Sequence, residues 1–296
     1  MKTYSVASFT DIGLRRTINE DHILVGRFIK NRGGMGLTFS TDDDFLAVYG
    51  LVFAVADGIG GARAGEVASR LALQVFDRHF YSFEKAAAED AAFVDALTAS
   101  GKRANDTILQ MASARPECSD MGCTLAGVCL TPSGYHVFSA GDSRVYRFRR
   151  YLQQLTEDDT VTGLAVRLGT MTGEEAEASN QRHTLINSLG SSSFQLRVSQ
   201  TKELRDDERL LISSDGLHDL VPRPLIEDIL KTNADPVQAV QALVEEAKRQ
   251  GGHDNISVIL IQADIQETIA ATEVEGTPSS ELASEFKAPQ DLEKMA

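Results

Sequence analysis

Residues 51–61 read LVFAVADGIGG, an unbroken apolar run that stops at an aspartate and dissolves into glycine. Six consecutive apolar residues, Leu51 to Ala56, describe a strand buried on both faces and closed by a turn. Asp57 therefore stands where a core strand ends. A carboxylate there is costly unless it is paired, hydrogen-bonded or bound to a cation, and Gly58, Gly60 and Gly61 let backbone come close to whatever it holds. The stretch reads as a metal site.

The pattern recurs twice. Arg209 to Ser214 carries the apolar run Leu210, Leu211 and Ile212 and stops at Asp215-Gly216; Gly251-Gly-His-Asp-Asn-Ile256 sets Asp254 beside glycines at the edge of the apolar strand Ile256 to Ile261. A phosphate-binding loop is the competing reading of the first stretch, since Gly60 and Gly65 have its glycine spacing. Glu66 and Val67 then stand where that loop needs Lys and Ser or Thr, and Asp57 would repel a phosphate. Three aspartates delivered by strand ends, joined by Glu20 or Asp21 from the turn between two early strands, make a set of like charges that needs a counter-charge. Hard divalent cations with oxygen ligands supply one. Two such cations bridged by a carboxylate hold a hydroxide at neutral pH and aim it at phosphorus, so the constellation points to phosphoester hydrolysis without a covalent intermediate.

Other chemistries are excluded by residue. No cysteine is followed by arginine six positions on, where Thr124, Cys129 and Tyr135 stand, and no serine nucleophile elbow is present. Asp42-x-Asp44 has Leu46 where an aspartyl-nucleophile motif needs Thr or Val. The net charge of −14 argues against nucleic acid or an anionic membrane as the main partner. The short basic group Arg147, Arg149 and Arg150 is too small for a two-metal nuclease. Cys118, Cys123 and Cys129 form no CxxC pair and suit a reducing compartment. With no apolar leader and no stretch of membrane-span length, the protein reads as cytoplasmic.

Along the chain, Lys2 to Phe9 alternates as a strand and His22 to Val25 suits a second; the glycine- and aspartate-rich Asn31 to Phe45 reads as a hairpin loop or insertion. Two amphipathic helices follow, carried by Val67, Leu71, Val75 and Phe76 and by Phe93, Leu97, Ala104, Ile108 and Met111. Strands are expected over Thr124 to Leu130, Tyr135 to Ala140 and Arg144 to Phe148, with Asp142 as a turn residue between the last two. Val161, Leu164, Ala165 and Leu168 share a helical face, Thr172 and Glu175 form a capping box, and Phe194, Leu196 and Val198 alternate as a strand. Asp235 caps a helix opened by Pro236, with Val237, Val240, Val244 and Ala247 inward. Residues 265–296 hold seven acidic and two basic residues without periodicity and read as a disordered acidic tail.

In order, RTINED (16–21), DGIGG (57–61), SDMGCT (119–124), GDSR (141–144), SSDGLHD (213–219) and GGHDNIS (251–257) resemble the metal-dependent serine/threonine protein phosphatases of type 2C in their bacterial form. The resemblance spans about residues 3–263. It implies an α+β fold, a central β-sandwich of two antiparallel sheets flanked by helices on both outer faces, within a phosphatase domain over residues 1–264. It implies two Mn2+ or Mg2+ ions, with Asp57 bridging them, the Gly58 carbonyl helping to hold one, Glu20, Asp215 and Asp254 ligating the other, and Asp21 holding metal-bound water. Arg16 would grip the substrate phosphate, with Arg15 as the neighbouring surface charge. Asp120 and Asp219 would form a third, weaker site, and residues from about 156 to 190 the flap beside the active site.

Where animal members carry a histidine in DGHGG this chain has Ile59, which leaves the general acid unassigned; His218 and His253 lie within motifs, though a lone histidine is more often structural. Asp159 replaces a frequent histidine at the start of the flap. The implied partners are phosphoserine and phosphothreonine proteins and an opposing bacterial-type serine/threonine kinase. The alternative is a catalytically dead relative that binds phosphoproteins, against which the full set of mutually repelling acids argues.

Overall fold

The computed structural model describes residues 2–60, 64–85, 90–199, 202–206 and 208–265; the acidic tail expected from 265 onward lies, save Ile265, outside the described residues. The chain opens with strands β1 (Lys2–Asp11), β2 (His22–Val25), β3 (Phe28–Lys30) and β4 (Gly33–Ser40). Helix α1 (Asp44–Tyr49), β5 (Leu51–Ala56), β6 (Gly58–Ile59) and the long helices α2 (Ala64–Phe80) and α3 (Asp90–Ala114) follow. Next come β7 (Gly122–Cys123), β8 (Leu125–Thr131), β9 (Gly134–Ala140), β10 (Arg144–Phe148), β11 (Leu152–Gln154), α4 (Val161–Arg167), α5 (Gly173–Glu177) and β12 (Arg197–Val198). The last segments are β13 (Arg209–Ser213), α6 (Asp215–His218), α7 (Arg223–Thr232), α8 (Pro236–Arg249) and β14 (Ile256–Ile265).

Two six-stranded antiparallel sheets result, ordered β11-β10-β13-β14-β1-β4 and β12-β9-β8-β5-β2-β3. Their apolar runs are continuous because both faces are covered. In β5, Phe53 and Val55 point into the layer between the sheets, while Val52, Ala54 and Ala56 point outward against Ala68, Ala72 and Phe76 of α2. In β14, Ile259 and Ile261 take the inter-sheet side, while Val258 and Leu260 pack outward against Val240, Leu243 and Val244 of α8. The layers are therefore helix, sheet, sheet, helix, as the resemblance implied.

Register sets the site. Asp11 pairs with Ile256 and Ser213 with Val258, so the β1–β2 loop, the residues before β14 and those after β13 share one end of the first sheet. His22 pairs with Ala56, which puts Asp21 and Asp57 together at an end of the second.

Several local expectations change. Residues 33–40, expected as loop, form the edge strand β4, whose alternating exposure follows its pairing with β1. Asp43 caps α1 through bonds to the Phe45 and Leu46 amides, so the aspartate run starts a helix. Phe194 and Leu196 pack on the core, but only Arg197–Val198 pairs as strand. Val237, expected inward, is the second residue of α8, lies beside the edge strand β4 and is 45% exposed. Among the described residues no helix is long and apolar enough to cross a membrane.

Candidate functional site

Arg16, Glu20, Asp57, Gly58, Asp215 and Asp254 line one cavity of about 400 Å³, together with Ile59, Thr124, Asp142, His183, Leu185 and Ser188. Asp57 is held by the strand that follows the SDMG turn: its N–H donates to Thr124 Oγ1 at 3.1 Å and its carbonyl accepts from the Thr124 N–H at 2.8 Å. Thr124 Oγ1 in turn meets Ser143 Oγ at 2.7 Å, which ties the GDSR turn to Asp57. Gly58 is confined. A Cβ there would lie 2.2 Å from the Gly65 carbonyl oxygen and 2.7 Å from that of Glu20. Backbone approach of that closeness is what glycine permits.

The Glu20 side chain sits against the first turn of α2, where a Cβ on Gly65 would come within 2.7 Å of its Oε1, a placement the positive end of a helix favours. Its backbone N–H donates to Asn255 Oδ1 at 2.8 Å, and Asn255 Nδ2 donates to the Ile12 and Ile18 carbonyls at 3.0 Å each. Asn255 thus holds the whole loop that carries Arg16 and Glu20. Arg16 reaches Asp254 Oδ2 at 2.7 Å from a half-exposed position. Asp21 lies behind the cavity, fully buried, with Oδ2 accepting from Ser214 Oγ at 2.7 Å.

Five carboxylates line the cavity against one arginine and one histidine. The electrostatic consequence appears in their protonation. Burial, with the charges of Asp21, Asp215 and Asp142, drives Asp57 well above the usual carboxylate range. Burial also raises Asp142 to about 8, Asp21 to about 7 and Asp215 to about 6, each pushed further by neighbouring carboxylates. Glu20 is raised by burial, partly offset by Arg16. Asp21 Oδ1 and Asp215 Oδ1 are buried with no hydrogen-bond partner. Orphaned carboxylate oxygens, a donor set dominated by carboxylates and a deficit of positive charge fit divalent cations such as manganese or magnesium.

Asp219 stands beside the cavity and meets His183 Nε2 at 3.2 Å. Asp120 is exposed and outside the cavity lining, so the expected pair Asp120 and Asp219 is not brought together at the cavity as the other residues are. Two residues the sequence did not single out are drawn in. Asp142, read as a turn residue, is buried, and it groups with His183 and Asp215 so that one ligand atom from each lies within 4.8 Å of the others. His183 comes from the flap limb that bridges back at Leu185 to Thr160. The signal for Asp142 was its place in GDSR, a turn between two core strands; for His183 no local pattern exists. Of the motif histidines, His218 is half-buried, bonded through Nδ1 to Ser213 Oγ at 3.2 Å and depressed well below its ordinary pKa by desolvation, and His253 is exposed; neither lines the cavity. The α4 face of Leu164 and Leu168 is open, the latter 68% exposed.

The protein phosphatase 2C family profile matches residues 40–269. The serine/threonine phosphatase Stp of Listeria monocytogenes is 30% identical over 72% of this chain and 85% of its own length. The crystal structure of the Mycobacterium tuberculosis serine/threonine phosphatase PstP superposes with a TM-score of 0.73 at 28% identity, covering 89% of this chain and all of that one. A PstP catalytic domain solved with two manganese ions gives a TM-score of 0.71 at 27% identity, over 90% of this chain and all of that one.

Proposed function

The chain belongs to the protein phosphatase 2C family, and from that premise we propose that it is a metal-dependent protein phosphatase that hydrolyses phosphoserine and phosphothreonine by direct attack of activated water on phosphorus. The observation that carries the reading is the convergence of Glu20, Asp57, Asp215 and Asp254 on one cavity that also holds Arg16. Two Mn2+ or Mg2+ ions would be held by Asp57 and the Gly58 carbonyl on one side and by Glu20, Asp215 and Asp254 on the other, with Asp21 as an acceptor behind them. When bound, such cations supply an ionised water at neutral pH and neutralise charge on the phosphoryl oxygens. A third, weaker site would draw on Asp120 and Asp219, which would have to approach one another to share an ion.

The protein's own groups orient the substrate. Arg16 presents a planar fork suited to two phosphate oxygens. Its ion pair with Asp254 is half exposed, and such pairs are worth about 0–1 kcal/mol. Exchange of Asp254 for a substrate phosphate would therefore cost Arg16 little. Thr124 and Ser143 keep Asp57 fixed from behind through side-chain hydroxyls. The lining of the cavity carries no cysteine, which fits hydrolysis without a cysteinyl phosphoenzyme.

The physiological role that follows is opposition to a bacterial-type serine/threonine kinase in the cytoplasm, with the phosphatase domain over residues 1–264 and the tail from 265 as a separate acidic segment. The test is hydrolysis of a phosphothreonine peptide by protein stripped of metal and then resupplied with manganese or magnesium, with acid-quenched protein examined for retained phosphate. Metal-restored turnover with no labelled protein is expected. Tight phosphopeptide binding with no turnover under any metal would replace the enzyme by a phosphoprotein-binding module.

A further inference from the structure

The flap enters and leaves the fold at a single buried carboxylate. Asp159, at its start, is fully buried. Its Oδ1 accepts from Arg197 Nε at 3.1 Å and Nη2 at 2.6 Å, and its Oδ2 accepts from Asn187 Nδ2 at 2.6 Å and from the Gly141 N–H at 3.5 Å. The backbone repeats the connection: the Asp159 N–H donates to the Gly141 carbonyl at 2.9 Å, and its carbonyl accepts from the Ile186 N–H at 2.8 Å. One residue thereby joins the GDSR turn, the returning limb of the flap and strand β12.

The neighbouring residues show what is being positioned. Ile186 and Asn187 sit between Leu185 and Ser188, and both of those line the catalytic cavity. Gly141 precedes Asp142, which lines the same cavity from the opposite segment. Asn187 is held a second time, by exchange of bonds with the Gln195 carbonyl and N–H at 2.9 and 3.1 Å. We propose that Asp159 is a positioning residue for substrate: through Asn187 and Ile186 it fixes the flap wall of the cavity against the GDSR turn, where the residues flanking a phosphorylated side chain must pass. Asp57, Asp21 and Glu20 are held by other contacts, through Thr124, Ser214 and Asn255. The wall can therefore loosen while the centre stays intact.

Asp159→Asn tests this with almost no change of shape. Every group facing the carboxylate is a donor, so whichever way the amide turns, its NH2 meets another N–H. The inference rests on the cavity being the phosphatase centre, and two readouts keep the ideas separable. With manganese-loaded full-length protein, KM for a phosphothreonine peptide is expected to rise about tenfold with kcat within about twofold, while both constants for p-nitrophenyl phosphate, too small to touch the wall, stay within about twofold. Exchange of the Ile186 amide with solvent deuterium should be at least about tenfold faster than in the parent.

Arg197→Gln removes the partner from its half-exposed side and keeps the test alive should Asp159→Asn fail to fold. It should give the same KM split in weaker form, and the double variant should be no worse than Asp159→Asn alone. Unchanged peptide KM, or equal losses on the peptide and the small phosphate, would overturn the positioning role. If the parent hydrolyses neither substrate, the reading of the cavity has failed instead; unaltered exchange at Ile186 would then still overturn the clamp.

Discussion

Gly216→Ala is the smallest change that should separate the two halves of the candidate metal centre. A Cβ at 216 would stand 1.9 Å from the Asn255 carbonyl oxygen, against an ordinary separation of about 3.5 Å. Both groups are backbone, so no side-chain rotation relieves the collision. Residue 216 adjoins Asp215 and residue 255 adjoins Asp254, so a retreat of about 1.5 Å moves those two carboxylates apart. It also drags the loop of Arg16 and Glu20, which hangs on the Asn255 side chain. A misplacement of about 1 Å at reacting groups costs about a hundredfold in rate, equivalent to about 2.7 kcal/mol of barrier, and overpacking should cost about 1–3 kcal/mol of stability.

The assay is kcat/KM on a phosphothreonine peptide across a manganese titration, beside urea unfolding of the metal-free protein. The control is Gly173→Ala in the first turn of α5, where a Cβ meets nothing within 4 Å and no positive φ intervenes; it should leave both quantities unchanged. Parent-like turnover and manganese affinity in Gly216→Ala would refute the argument that backbone contact between these turns sets the carboxylate spacing.

The raised pKa values predict a pH dependence of metal-free stability. Asp142, Asp21 and Asp215, at about 8, 7 and 6 in the folded chain, hold protons more tightly than when unfolded. Their contribution is complete below about pH 4 and is lost as pH rises through 6 to 8. Within that window, the thermal unfolding midpoint of the metal-free protein should fall as pH rises. Saturating manganese should oppose the trend, with proton release on binding visible by calorimetry in buffers of different ionisation enthalpy; binding without proton release would contradict the assignment. Asn255→Ala strands the Glu20 N–H and the Ile12 and Ile18 carbonyls and should lower stability by about 2–4 kcal/mol in urea unfolding. A loss under 0.5 kcal/mol would be too small for that role. Cys123 is fully buried, and burial raises its thiol well above the ordinary value, so the native protein should resist thiol labelling at that position until it unfolds. Fast modification of Cys123 in the native state would refute this.

The fold was legible wherever one short pattern determined the packing. The runs at 51–56 and 210–212 are apolar throughout because each strand has a sheet on one side and a helix on the other, and the aspartates that follow them are placed by strand register. The edge strand β4 was hidden because a strand with glycines at 33, 34 and 36, and with no strand pairing on its outer edge among the described residues, leaves no apolar signature. Glu20, Asp57, Asp215 and Asp254 could be found from motif order. Asp142 looked like any turn aspartate, since its burial depends on the flap and α6 closing over it. His183 and Asn255 act through contacts from other segments, at sequence separations of 32 for His183 with Asp215 and 235 for Asn255 with Glu20, which no local pattern encodes.

The measurement that tests the account most directly is the manganese stoichiometry of the purified chain alongside its turnover of a phosphothreonine peptide, in the parent and in Asp57→Asn. The account predicts two tightly bound ions per chain in the parent, activity that follows their occupancy, and loss of both ion binding and at least about a thousandfold of turnover in Asp57→Asn. Turnover that persists in Asp57→Asn, or that proceeds equally well after removal of all divalent metal, would contradict it.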